Sequence, residues 1–204
     1  VGEGCEEDRL VCEYFEVMEF DWVKKLKEKQ VVAHGSDFGF TQDPTTLIST
    51  IVDLKNKELW IYDEHYQRGM LTDEIYQMYL DKGLKNAKII ADSAEKRLIT
   101  EIKRKGISNL KPSIKGQGSI MQGVQFIQGF KIYVHPTCEH TIEELNTYTF
   151  DQDKDGNWLN KPIDANNHLM DALRYSLEEF HFPRNNRTNV NIKKNISRAK
   201  AMGL

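Results

Sequence analysis

The stretch "VVAHGSDFGF", residues 31–40, decides the fold. Val31, Val32 and Ala33 read as the start of a buried strand. Asp37, flanked by Phe38 and Gly39, falls where that strand ends. A carboxylate beside an apolar run costs free energy unless something pairs with it. Two more candidate strands follow, "TTLISTIVDL" (45–54) and "ELWIYDEHY" (58–66), β-branched and aromatic, with short turns containing "TQDP" and "KNK" between them. Connections this short imply antiparallel pairing.

Downstream the pattern alternates. "TDEIYQMYLDKG" (72–83) reads as a helix with Thr72 as N-cap and Gly83 as stop. "AKIIADS" (87–93) is a short apolar strand ending in Asp92, and "AEKRLITEIKRKG" (94–106) is a helix stopped by Gly106. "ISNLKPSI" (107–114) is a fifth candidate strand. A helix "SIMQGVQFIQGF", the segment "KIYVHP" and a helix "EHTIEELNTY" come next, then the polar "DQDKDGNWLNKP" (151–162) and a last helix "DANNHLMDALRYSLEEF" (164–180). This order is α/β, with a mixed sheet of three antiparallel strands and then parallel strands, flanked by helices.

The 204 residues suit one ordinary domain. No apolar run reaches the roughly 20 residues of a membrane span, and the acidic start "VGEGCEEDRL" does not read as a secretory leader. Cys5, Cys12 and Cys138 have no zinc-like spacing, so a reducing intracellular compartment is expected. The net charge of −3 is unevenly spread. Residues 182–204 carry Arg184, Arg187, Lys193, Lys194, Arg198 and Lys200 with no acid, and read as a flexible basic tail. A second basic run, 93–115, holds Lys103, Arg104, Lys105 and Lys115. Such runs are either solvated faces or phosphate contacts. Residues 1–30, with "LVCEYFEV" and a helix "DWVKKLKEK" opened by Asp21, read as a junction outside the core.

Three acids and a histidine carry the chemistry. Asp37 ends the first strand and Asp92 the fourth, while Asp171 lies on the last helix with His168 one turn before it. If the first and fourth strands are neighbours, the two strand-end acids stand side by side, and a helix packed over that end brings Asp171 to the same point. Carboxylates gathered in a partly buried place repel one another. Hard divalent cations such as Mg²⁺ or Mn²⁺ relieve that repulsion. Two of them can activate water and stabilise the leaving oxygen of a phosphodiester. The plainer readings are that Asp37 satisfies a turn, that Asp92 and Glu95 form a capping box, and that His168 is a packed or capping histidine. Asp171, between Met170 and Ala172 on an apolar helix, is the hardest to explain structurally.

This pattern resembles the ribonuclease H-like nucleases. The strings "DFGF", "IIADSAEKR", "IKGQGSIMQGVQFI" and "NNHLMDALRY" together resemble the nuclease domain of the large terminase subunit of tailed bacteriophages, over residues 31–181. One departure is Lys96, where many members carry proline. The resemblance implies a metal-dependent endonuclease that cuts concatemeric viral DNA during packaging in the cytoplasm of the infected host. It makes Asp37, Asp92 and Asp171 ligands of two Mg²⁺ or Mn²⁺ ions, with His168 a supporting catalytic group. It implies double-stranded DNA, an ATPase motor domain of the same full-length protein, the portal protein and the small terminase subunit as partners. No G-x-x-x-x-G-K-[ST] loop is present, so the motor chemistry is expected elsewhere and residues 1–30 would lead from it. A resolvase- or transposase-type nuclease of the same fold, or a non-catalytic docking module, are the alternatives.

Three further stretches need a reading. "KGQGS" (115–119), with Lys115, Gly116 and Gly118 ahead of a helix, is expected to touch the DNA backbone through amides, or to be a plain connector. "DQDKDGNWLNKP" imitates a calcium loop, but its twelfth position is Pro162 where a Glu is required, so it reads as a hairpin turning near Asp155 and Gly156. "HPTCEH" offers His135, Cys138 and His140 without an evident fourth zinc ligand.

Overall fold

The computed structural model of the protein describes residues 9–27 and 31–181. At its centre is a seven-stranded sheet in the order β1-β7-β4-β3-β2-β5-β6. Strands β2 (Val31–Asp37), β3 (Thr45–Asp53) and β4 (Glu58–Gln67) are the three antiparallel neighbours expected from their short connections. Strands β5 (Ile89–Ala91) and β6 (Leu110–Pro112) add in parallel beside β2. Strands β7 (Lys131–Val134) and β1 (Phe15–Val17) add in parallel beside β4. Only β3 runs against the others, so the C-terminal ends of the other six strands share one edge of the sheet.

Side chains alternate across β3, which is buried on both faces. Ile48 joins a core built with α4 (Ser119–Gln128), α5 (Glu139–Thr147) and α6 (His168–His181). Leu47 joins the core built with α2 (Thr72–Asp81) and α3 (Lys96–Lys105) on the opposite face. Helix α6 lies on the first face. Its Leu169, Leu173 and Leu177 are buried, each contributing roughly 2 kcal/mol. The helix can come this close because residue 35 is glycine. A Cβ at Gly35 would sit 1.8 Å from the carbonyl oxygen of Ala172, on the α6 backbone itself.

Several sequence expectations shift in detail. The stretch "LVCEYFEV" is not outside the core: Val11 and Cys12 are buried, and residues 15–17 form the edge strand β1. Helix α1 (Trp22–Lys27) does begin at Asp21, whose Oδ1 accepts the Lys24 amide at 2.9 Å. The N-cap of α2 is Leu71 rather than Thr72. Glu74 reaches back to accept the Leu71 amide at 2.7 Å, and Thr72 Oγ1 turns instead toward Glu101. Asp92 does not cap α3, whose N-cap is Glu95; its Oδ1 accepts the Ala94 amide in a local turn. "DQDKDGNWLNKP" is the expected hairpin, of β8 (Phe150–Gln152) and β9 (Trp158–Pro162). Its turn is fastened by Asp153 Oδ1, which accepts the amides of Asp155 and Asn157. The basic tail, 182–204, lies outside the described residues.

Gly35→Ala is expected to destabilise the domain by about 3 kcal/mol, the upper end for forced overpacking, because the clash is with backbone that has no rotamer to change. Urea denaturation of the variant and the parent measures it.

Candidate active site

Parallel pairing of β2 with β5 sets Ser36 opposite Ala91, which makes Asp37 and Asp92 the next residues at the ends of two adjacent strands. The Asp92 amide confirms the register by donating to the Ser36 carbonyl at 3.0 Å. Helix α6 arrives over this end, tied by Thr46 Oγ1 donating to the His168 carbonyl at 3.1 Å. The expected convergence of β2, β5 and α6 is therefore present. The three acid side chains are mostly buried, at 15%, 14% and 22% exposure for Asp37, Asp92 and Asp171.

Each acid faces a cationic or cationisable group. His168 Nδ1 lies 3.2 Å from Asp37 Oδ2. Lys115 Nζ lies 2.8 Å from Asp92 Oδ1. Arg174 Nη2 donates to Asp171 Oδ1 at 2.8 Å. Among the described residues no three His, Cys, Asp or Glu side chains are drawn together tightly enough to grip an ion. The electrostatics nevertheless show an unmet need for positive charge. Burial raises the Asp37 pKa, and repulsion from Asp171 and Asp92 raises it further, against the lowering effect of His168. The Asp37 hydrogen bond in turn raises the His168 pKa, opposed by partial burial. A set of carboxylate oxygens with this mutual repulsion fits a hard divalent cation, and Lys115, 57% exposed, has room to leave Asp92.

Other residues complete the site. Asp43 Oδ1 lies 3.5 Å from the second ring nitrogen of His168. It comes from the "TQDP" turn, which folds back where Thr45 Oγ1 donates to the Gly39 carbonyl. Arg174 stands three residues after Asp171, the same spacing that links His168 to Asp171, so the sequence did carry a signal for it. Glu144 of α5 carried none. It is buried, and its Oε2 accepts the amides of Leu169 and Met170, capping the helix that bears His168 and Asp171. Burial pushes its pKa up to about 7 despite those two hydrogen bonds.

The structure divides the expected DNA contacts. Lys115, Gly116 and Gly118 line a groove that includes Asp171 and Arg174, with Gly118 left-handed at φ 76° as the N-cap of α4. Lys103, Arg104 and Lys105 lie at the far end of α3, roughly 15 Å along the helix from the turn after Asp92. There Lys105 pairs with Asp73 and lies over the Tyr76 ring. His135, Cys138 and His140 make no metal-holding group: Cys138 is buried, and His140 pairs with Glu64.

With the geometry in place, comparison with known proteins identifies the lineage. The family model described as the terminase RNase H-like domain matches residues 37–179, from the first strand-end acid to the last helix. The chain belongs to this family. It is 32% identical over 171 residues to the PBSX phage terminase large subunit of Bacillus subtilis, a match that covers 81% of this chain and 39% of that protein. The chain thus spans about two fifths of the curated relative's length. Its fold matches the nuclease domain of the large terminase of bacteriophage SPP1, crystallised with bound Mn, at a TM-score of 0.77 and 23% identity, covering 83% of this chain and 98% of that one. It also matches the large terminase nuclease of thermophilic phage G20c with bound magnesium, at a TM-score of 0.55 and 14% identity, covering 86% and 99% of the two chains. The mixed sheet of this terminase domain is accordingly the ribonuclease H-like one.

The Glu144 carboxyl gives a pH signature. Its folded pKa, about 7, exceeds its ordinary 4.5, so its contribution to stability is fully present below pH 4.5 and is lost as pH rises through 7. The loss amounts to about 3 kcal/mol at 1.36 kcal/mol per unit. Glu144→Gln keeps an oxygen acceptor without the charge. Its melting temperature relative to the parent is expected to rise between pH 5 and pH 8, as measured by circular dichroism.

Proposed function

We propose that this domain is a metal-dependent DNA endonuclease that cuts concatemeric viral DNA during packaging. The observation that carries the reading is the convergence of Asp37, Asp92 and Asp171 from β2, β5 and α6, with Asp37 held above its ordinary pKa by burial first and then by the charges of the other two. Asp37, Asp92 and Asp171 would hold two divalent cations, Mg²⁺ or Mn²⁺. Such ions would supply Lewis acidity toward the attacking water and the leaving oxygen. Relatives of this fold crystallised with Mn and with magnesium support the choice of ion.

The chain's own groups do the rest. His168, oriented by Asp37 on one nitrogen and facing Asp43 on the other, holds a carboxylate in place and can take up a proton. Lys115, more than half exposed, passes from Asp92 to an incoming phosphate, and Arg174 steadies Asp171. The amides of the 115–119 loop face the backbone of double-stranded DNA. With no groove-reading module among the described residues, cleavage by the isolated domain is sequence-nonspecific. In the full-length protein an ATPase motor precedes residues 1–30 and supplies much of the grip. The portal protein and the small terminase subunit are further partners, and the host cytoplasm is the site of action. Lys103, Arg104 and Lys105, far along α3, would meet DNA only beyond the cleavage site.

Incubation with supercoiled plasmid tests the reading. Nicking and linearisation are expected with Mn²⁺ or Mg²⁺ and not with EDTA. Asp37→Ala, Asp92→Ala and Asp171→Ala should each abolish cleavage in a folded protein. His168→Ala should lose roughly 10- to 100-fold, the usual cost of an outer supporting group, while Mn²⁺ still raises its melting temperature. Full activity in any of the three Asp variants removes that residue from the site. Absence of both cleavage and metal-induced stabilisation would leave a docking module.

A further inference from the structure

The groove that Asp171 lines extends beyond the strand-end acids to the β8–β9 hairpin. It encloses about 500 Å³ between the 114–118 loop, the first turn of α4, strand β9 and helix α6. Three cations from three different elements line it: Lys115, Lys161 and Arg174. Lys161, on the hairpin, is exposed and makes no ion pair among the described residues. Arg174 is only 10% exposed, and while its Nη2 serves Asp171, its Nε is buried without a hydrogen-bond partner. That Nε is a donor without an acceptor, and a guanidinium can serve two anions at once.

The groove is also shaped around that arginine. A Cβ at Gly123 of α4 would fall 2.4 Å from Arg174 Cγ, so only glycine lets the Arg174 stem pass beneath the helix. The lining also has apolar members. Ile120 is 44% exposed at the start of α4, next to Met121 and Pro162. Cations and aliphatic carbon in one groove suit the alternating phosphate and deoxyribose of a nucleic-acid strand. The lining has one aromatic residue, Tyr175, which is buried and carries the Arg174 guanidinium over its ring, so it offers no open face on which an unpaired base could stack.

We propose that this groove is a phosphodiester subsite for a neighbouring phosphate of the cleaved strand, gripped by Lys161 and Arg174 with its sugar against Ile120. The proposal rests on the nuclease reading of the adjacent acids. Arg174 is then shared. It neutralises Asp171 when the groove is empty, and it links the acid site to the strand when the groove is filled. Lys161 places the hairpin in the contact as a direct holder of the strand.

Fluorescence anisotropy tests this in EDTA, where no cleavage occurs, with a labelled 20-base-pair duplex between 50 and 200 mM NaCl. Lys161→Gln is expected to weaken binding on the order of five-fold and to reduce the slope of log affinity against log salt by about 1, the signature of one lost phosphate contact. Gly123→Ala, which displaces Arg174 without changing charge, should weaken binding as well. If Gly123→Ala fails to fold, Arg174→Lys, which keeps the charge but loses the Nε donor, takes its place. Lys131→Gln, at the opposite end of the sheet, serves as the control and should bind like the parent. Parental affinity and salt slope in Lys161→Gln, with parental affinity in the Arg174-displacing variant, would overturn the subsite. Failure of the nuclease reading is distinguishable: the parent would then not cut plasmid with Mn²⁺, while the binding losses in EDTA persisted.

Discussion

The contact between Gly35 and the backbone of Ala172 is the constraint on which the site depends. Helix α6 can reach the acids only by lying directly on β2, and the absence of a side chain at residue 35 permits that approach. The buried leucines of the helix then hold it there, and Glu144 fixes its first turn by accepting the Leu169 and Met170 amides. From this one approach follow the height of Asp171 over the strand ends, the meeting of His168 with Asp37, and the placement of Arg174 beneath α4. Small residues allow close packing twice in the same helix interface, at Gly35 against the helix backbone and at Gly123 against the Arg174 stem.

Function works against stability at the strand ends. Three mostly buried carboxylates raise one another's energy, and Asp37 shows it in a pKa lifted by burial and by both neighbours. The fold answers with positive or ionisable groups of its own, one for each acid: His168, Lys115 and Arg174. They differ in how firmly they are held. Arg174 is packed under α4, His168 is tied between Asp37 and Asp43, and Lys115 is mostly in solvent. A graded set of this kind keeps the acids tolerable in the free protein and leaves one cation easy to displace.

Much of this could be read in the residues. The alternation of short apolar strands with helices gave the mixed sheet, because buried parallel strands and amphipathic helices differ in period and composition. The positions of Asp37, Asp92 and Asp171 at two strand ends and within an apolar helix singled them out. Local chemistry was less reliable where two donors or acceptors compete. Thr72 was the obvious cap for α2, yet Leu71 occupies that position because Glu74 satisfies its amide. Residues 10–17 looked peripheral, since three strand residues flanked by acids carry little periodic signal. Val11 and Cys12 are buried where the Val11 amide donates to the Tyr148 carbonyl, and residues 15–17 pair with β7, partners more than a hundred residues away.

The sequence by itself determined the order of elements, the three acids and the histidine, and the membership that the comparisons then established. These are properties of residue type and spacing along the chain. Tertiary structure alone decided which charges come together: Lys115 with Asp92, Glu144 with the start of α6, Asp43 with His168, and Lys161 with Arg174 in the lining of one groove. It also decided that Lys103, Arg104 and Lys105 stand apart from the acids. The reason is physical. A residue's type limits what it can bond, but contacts between segments far apart in the chain depend on register and packing height, which a side chain as small as the one missing at Gly35 can change.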